Sequence, residues 1–193
     1  MSSKSAWTTK EKAVCYVGGI AEIRGILELV QALELTDEEV NLKLGGSFDS
    51  QKFEELVKNE KGWQKFEELG WLNRQQVAEV YSKSIAGLVT LRPAVNYLDS
   101  LPVKMFEYMS AGIPVIASNF PLWREIIEGN QCGICVDPLK PEDIAVAINY
   151  LINNPVEAEK MGSNGQRAVV EKYNWGEEEK KLLMLYEKLK DKE

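Results

Sequence analysis

The sequence predicts an α/β fold, a doubly wound parallel sheet of about six strands with helices on both faces. Three observations lead there. Short apolar runs alternate along the chain with segments of helical period. Several of those runs end at glycine, where a strand gives way to a turn. The chain of 193 residues is 45% hydrophobic and 27% charged, the composition of a soluble globule large enough to bury a full core.

Residues 1–12 are polar and read as a disordered or linker N-terminus, leaving one domain over 13–193. Residues 13–17 are an apolar run closed by Gly18 and Gly19, a buried strand and its turn. Ile23, Ile26, Leu27, Val30 and Leu33 then repeat at helical spacing. Residues 40–44 form a second strand ending at Gly45 and Gly46, and a polar helix follows over 49–59. Residues 64–69 are a short strand ending at Gly70 and Trp71. Asn73 and Gln76 have the spacing of a capping box, opening a helix that carries Val77, Val80 and Tyr81. Residues 85–91 are the next buried strand, a helix opening at Ser100 follows, and 113–117 are the strand after it. Residues 121–128 read as a helix stopped by Gly129, and 133–136 as the last strand. A helix from Pro141 presents Ile144, Ala147, Ile148, Leu151 and Ile152, and two charged helices finish the chain, the last capped by Asn174 with Glu177 three residues on. In such sheets ligands bind outside the carboxyl ends of the strands. Gly18-Gly19, Gly45-Gly46, Gly70-Trp71 and the loop over 92–103 all fall there.

Charge and composition narrow the chemistry. The net charge of −7 excludes the basic surface that a nucleic-acid backbone needs. No apolar run is long enough to span a bilayer, and the first residues lack the apolar core of a signal peptide. The chain has no histidine, which removes Ser-His and Cys-His nucleophiles, imidazole bases and histidine-bound metals. Cys132 and Cys135 form a Cys-x-x-Cys, a pattern that suits a redox pair or half a zinc site. A second pair is missing and the segment reads as a strand, so small buried hydrophobes are the expected role of all three cysteines, Cys15 included. The chain also lacks Gly-x-Gly-x-x-Gly and the Gly-Lys-Ser/Thr phosphate loop, so nicotinamide, flavin and ATPase readings are weak.

The most informative run is DSLPVKMFEYMSAGIPVIAS at 99–118. Ser100 has the chemistry of a helix cap and Pro102 suits the first turn. Lys104 falls in that same turn, where the helix dipole disfavours a cation unless an anion binds there. Lys104 and Glu107, one turn apart, are either a surface ion pair of small value or a phosphate ligand beside a carboxylate that accepts from a cis-diol. Spacing alone leaves both open. Asp99 flanks the same helix start. Gly18 and Gly19 let backbone N–H groups approach a ligand, and Arg24, otherwise a solvated residue, can converge with Lys104 across the sheet edge.

With the segments at 16–25, 123–129 and 133–138, the run at 99–118 resembles the donor-binding half of glycosyltransferase family 4, retaining enzymes of the GT-B fold. The resemblance covers most of 13–189 and implies a Rossmann-like domain, one half of such an enzyme. It implies that Glu107 is the second Glu of the family's Glu-x7-Glu motif, holding the ribose, and that Asp99 stands for the first, facing the donor sugar with a shorter reach. Arg24 takes the place of a diphosphate-binding Lys. Gly19 replaces the family's usual Arg, a loss for which Lys104 and the N–H groups near Leu101 and Val103 compensate. Gly70, Trp71 and Leu72 match the segment that meets the base. Asp99, Arg24 and Lys104 are thus the expected catalytic residues. Gly18, Gly19, Gly70, Trp71, Leu72, Ser100, Leu101, Pro102, Val103 and Glu107 are the expected substrate-binding ones.

The resemblance further implies transfer of a hexosyl or N-acetylhexosaminyl group from a UDP-sugar, with no metal and no cofactor, to a glycan or lipid-linked glycan of bacterial surface polysaccharide such as lipopolysaccharide. It implies a missing N-terminal acceptor-binding domain as partner, membrane contact through that half, and a cytoplasmic location or a peripheral one at the inner membrane face. This half alone is expected to bind nucleotide and catalyse little. Two rivals stay open: a sugar-nucleotide epimerase-like domain, and a non-enzymatic module that binds a nucleotide or a protein partner.

Overall fold

A computed structural model describes residue 7 and residues 10–190. Six parallel strands form one sheet in the order β3-β2-β1-β4-β5-β6. They are β1 (Ala13–Val17), β2 (Asn41–Gly45), β3 (Phe66–Gly70), β4 (Ala86–Val89), β5 (Val115–Ser118) and β6 (Gly133–Val136). This is the doubly wound order, in which the strand sequence reverses between β1 and β4 and opens a crevice at their carboxyl ends. The α/β class expected from the alternating pattern is the fold observed.

The helices are α1 (Ile26–Glu34), α2 (Gln51–Lys58), α3 (Arg74–Lys83), α4 (Val95–Leu98), α5 (Val103–Ser110), α6 (Pro121–Ile127), α7 (Pro141–Asn153), α8 (Pro155–Glu171) and α9 (Trp175–Lys190). Because side chains alternate across a strand, the sheet feeds two cores, one on each face. Val14, Tyr16, Leu42, Leu44, Leu88 and Ile116 meet α1, α2 and α7 on one face. Cys15, Val89, Val115 and Ala117 meet α3, α5 and α6 on the other. α8 closes both, with Ala158 in the first core and Ala168 in the second. α9 leaves Leu182, Leu183, Leu185 and Leu189 exposed.

Local chemistry explains several boundaries. Asn73 accepts from Gln76 N–H at 3.0 Å while the Gln76 side chain accepts from Asn73 N–H at 2.9 Å, the expected capping box of α3. Asn174 caps α9 through Glu177 N–H at 3.2 Å. Tyr108 of α5 lies so close to β4 that a Cβ on Gly87 would stand 2.2 Å from its ring; only glycine lets this helix sit down on the sheet there.

Two expectations are corrected. Ile23 is not on α1: Glu22–Arg24 is a 3-10 turn, set off by Gly25 at φ 73°, and Ile23 is exposed. The loop over 92–103 contains the short helix α4, which the sequence reading left out. The linker expected at 1–12 lies largely outside the described residues, and its described end is not free. Lys10 Nζ donates to the carbonyls of Tyr81, Ser82 and Ser84 at 3.2, 3.1 and 2.7 Å, capping α3, and Glu11 N–H donates to Lys83 O at 2.9 Å. Burial pulls the Lys10 ammonium down to about 8.

The cysteines behave as small hydrophobes. Cys15 and Cys132 are buried and Cys135 half-buried, all free thiols. Burial pushes Cys132 up to about 11 and Cys15 and Cys135 up to about 12, which suppresses the reactive thiolate. No metal-holding cluster occurs among the described residues. No helix among them is long and apolar enough to cross a membrane.

Candidate functional site

The carboxyl ends of β1, β2 and β3 are laced together by glycine backbone. Gly18 N–H donates to Gly45 O at 2.9 Å, and Gly46 N–H to Gly70 O at 2.7 Å. Gly18 and Gly46 hold φ of 149° and 141°, a region side chains avoid. A Cβ on Gly46 would stand 1.9 Å from Gly18 O. The 3-10 turn that carries Arg24 is fixed just as firmly. Gly25 packs on the end of β4, where a Cβ would meet Thr90 O at 1.9 Å. Arg92 grips the turn from the other side: its N–H donates to Ile23 O at 3.1 Å, and its guanidinium pairs with Glu22 at 2.5 Å and with the buried Glu28 at 2.7 Å.

This scaffold brings Arg24 and Lys104 to the switch point between β1 and β4. Lys104 Nζ lies 3.7 Å from the centroid of the Tyr16 ring, and the Arg24 guanidinium 5.4 Å from that of Tyr97. Lys104 is half-buried. Burial, and then the positive charge of Arg24, pull its ammonium down to about 8, with Glu107 opposing. Among the described residues neither cation has a carboxylate partner within salt-bridge distance, whereas Lys43, Lys58, Lys83 and Arg92 all do. Two like charges held together without a counter-ion, one of them partly desolvated, are an electrostatic cost unless an anion visits. Lys104 is the second residue of α5, and the leading amides of a helix lack intrahelical acceptors and point the same way.

Beside the cations opens a cleft of about 840 Å³ between α3 and α5. Val17, Leu72, Val77 and Phe106 give it apolar walls, and Arg74, Tyr81 and Glu107 its polar groups. The Tyr81 hydroxyl donates to Glu107 Oε2 at 3.3 Å. Burial and the Glu107 charge push the Tyr81 phenol far above its ordinary value, so the hydroxyl remains a donor. Oε1 of Glu107 has no such partner among the described residues.

The other expected residues fall unevenly. Gly18, Gly19 and Gly70 are at the strand ends as read. Leu72 and Val103 line the cleft. Trp71 is 80% exposed and belongs neither to the core nor to the cleft lining. Ser100 does not cap α5. Pro102 occupies the N-cap with extended backbone; its ring keeps Leu101 before it out of the helical region, so Ser100 and Leu101 cannot open the helix, which starts at Val103. The Ser100 hydroxyl turns back to Tyr97 O at 3.2 Å, and its carbonyl accepts from Trp123 Nε1 at 2.6 Å. Leu101 is half-exposed. Asp99 ends α4, exposed, with no hydrogen bond or ion pair joining it to Arg24, Lys104 or Glu107. Sequence reasoning missed Tyr16, Tyr97, Arg74 and Tyr81. Tyr16 and Tyr81 sat at core positions, and the one signal was a polar ring edge near the carboxyl end of a strand.

Comparison with known proteins adds a lineage. The family described as glycosyl transferases group 1 matches residues 1–168. An uncharacterized glycosyltransferase of Methanocaldococcus jannaschii is 28% identical over 179 residues, which are 91% of this chain and 45% of that protein. The sucrose-phosphate synthase of Thermosynechococcus elongatus superposes with a TM-score of 0.81 at 25% identity, over 96% of this chain and 47% of that one. Anabaena HepE, solved in complex with UDP, gives a TM-score of 0.80 over 97% of this chain and 54% of its own, a likeness of fold alone at 15% identity. The chain spans about half the length of the curated relatives it matches.

Proposed function

The chain belongs to the glycosyl transferases of group 1, and we propose that residues 13–193 are the donor-binding half of a retaining enzyme of family 4 that uses a UDP-sugar. The single observation that carries this reading is the convergence of Arg24 and Lys104, without carboxylate partners among the described residues, at the turn after β1, next to a cleft lined by Val17, Val103 and Glu107. A nucleoside diphosphate matches that layout in order. Its phosphates answer the two cations and the α5 amides, its ribose diol answers Glu107, and its base answers the apolar wall from Val17 to Leu72. The UDP in the structure of HepE is in keeping with this choice.

The reaction follows from the charges. As the bond between the sugar's anomeric carbon and the β-phosphate oxygen breaks, its electron pair passes to that oxygen. Arg24, Lys104 and the leading amides of α5 stabilise the growing negative charge, and because they are already in place they need no reorganisation as it grows. In this proposal the side-chain cations supply that stabilisation with no cofactor, and the nucleotide sugar is a substrate. The acceptor's hydroxyl oxygen bonds the anomeric carbon from the face the diphosphate leaves and gives its proton to the departing β-phosphate oxygen, which retains the anomeric configuration. Asp99 is assigned to the donor sugar from the motif it occupies. The transferred group is a hexosyl or N-acetylhexosaminyl unit. The acceptor is a glycan or lipid-linked glycan of bacterial surface polysaccharide, bound by an N-terminal half that also provides any membrane contact. This half alone binds donor nucleotide and transfers little.

A thermal-shift screen against UDP, GDP and ADP tests the assignment, since a ligand that binds the native state raises its melting temperature. The reading expects stabilisation by UDP that Glu107→Ala abolishes. Stabilisation by none of the three would refute it.

A further inference from the structure

We infer that Tyr16 is a positioning residue of the diphosphate site, its ring holding Lys104 and its hydroxyl holding the glycine turn that faces the same ligand. The inference rests on the donor-site reading above. Tyr16 is fully buried at the penultimate position of β1. Its hydroxyl donates to Gly19 O at 2.7 Å, so one end of the side chain pins the turn after β1. Its ring face receives Lys104 Nζ at 3.7 Å from the centroid. A Cβ on Gly18 would stand 2.4 Å from that Nζ and 3.8 Å from the Tyr16 hydroxyl oxygen. Turn, ring and ammonium therefore meet at one point.

The physical logic lies in what the ring is not. A carboxylate in its place would neutralise Lys104 and compete with a phosphate for it. An aromatic face attracts the cation through its quadrupole alone, leaving the charge uncancelled and the N–H donors aimed outward. Burial holds the Tyr16 phenol well above its ordinary value, so the ring remains neutral. Tyr97 stands in the same relation to Arg24 at a longer distance.

Nuclear magnetic resonance of the 193-residue chain tests the placement, and calorimetry with UDP tests its consequence. A methylene beside an aromatic face is shifted upfield by the ring current. Lys10 and Lys58 also lie over rings, at 4.8 Å or more, so the Lys104 ε-CH₂ signal is identified as the upfield-shifted one that Lys104→Met removes; it should be kept in Tyr16→Phe and lost in Tyr16→Leu. UDP affinity should fall about tenfold in Tyr16→Leu and no more than about threefold in Tyr16→Phe. Should Tyr16→Leu fail to fold, the wild-type, Lys104→Met and Tyr16→Phe spectra decide: no shifted signal assignable to Lys104 overturns the inference. A wild type that binds UDP while a folded Tyr16→Leu binds it equally well overturns the inference alone. A wild type that binds neither UDP nor pyrophosphate overturns the donor-site reading beneath it.

Discussion

The Tyr81 hydroxyl donates to Oε2 of Glu107 at 3.3 Å, joining α3 to α5 across the cleft. The bond holds one carboxylate oxygen toward α3 and leaves the other for a ligand. A neutral hydrogen bond contributes about 0.5–1.5 kcal/mol, and one to a charged group about 1.5–3 kcal/mol. The bond is long and reaches the ligand only through Glu107, so Tyr81→Phe should weaken UDP binding by about threefold to tenfold, the range of a neutral bond, measured by calorimetry. The melting temperature should change little, because the ring keeps its place against Tyr108 at 5.0 Å.

Glu107 is assigned to the ribose diol, and that assignment separates from a merely structural role. Glu107→Ala should cost UDP about tenfold or more in affinity, the loss of hydrogen bonds to an ionised acceptor. The same substitution should cost 2′-deoxy-UDP much less, because half of the diol is already gone. Equal losses for both nucleotides would show that Glu107 acts elsewhere.

Binding should depend on pH through Lys104. Its ammonium is depressed to about 8 in the free protein, chiefly by burial. A bound diphosphate favours the charged form and raises that value. UDP affinity should be level between about pH 7 and 8, above the last phosphate ionisation near 6, and should fall as pH rises beyond. Lys104→Met should flatten that decline. Stability runs the opposite way. The folded value lies below the unfolded one, so the unfolded chain holds more protons between about 8 and 10.5. The cost of the buried charge is thus fully present below about 8 and relieved as pH climbs through that window. Lys10, depressed to about 8 by its own burial, adds to the same slope, so the Lys104 share is read as the difference from Lys104→Met.

Gly87 offers a test of the scaffold rather than the chemistry. A Cβ there would stand 2.2 Å from the Tyr108 ring, and Tyr108 is fully buried between α5 and β4. Gly87→Ala should destabilise by about 3 kcal/mol, the upper range of overpacking, seen as a lower denaturation midpoint at unchanged slope in urea. It should also weaken UDP binding, because α5 carries both Lys104 and Glu107.

The sheet was legible because period and punctuation agree: apolar runs closed by glycine pairs at Gly18-Gly19 and Gly45-Gly46 are strand ends wherever they pack. The capping box at Asn73 and Gln76 was legible because it is local. The start of α5 was misread by two residues, because the capping preference of Ser100 competes with the constraint Pro102 places on its predecessor. Lys104 could be suspected from its place in a first helical turn. What it rests on could not, since Tyr16 lies 88 positions earlier and reads as core until the sheet order brings β1 beside the α5 terminus. Arg74 and Tyr81 were hidden for a related reason: the helix they share was recognised, but which of its faces meets α5 depends on tertiary packing.

The central claim is that Arg24 and Lys104 form one diphosphate site, and comparing UDP with uridine by calorimetry tests it most directly. Wild type should bind UDP with millimolar or tighter affinity, and uridine much more weakly. Lys104→Met or Arg24→Met should each cost UDP about tenfold or more, the usual worth of a charge-assisted hydrogen bond, and leave uridine unchanged. If UDP and uridine bind alike, or if neither substitution moves the UDP affinity, the two cations do not hold the phosphates and the account is wrong.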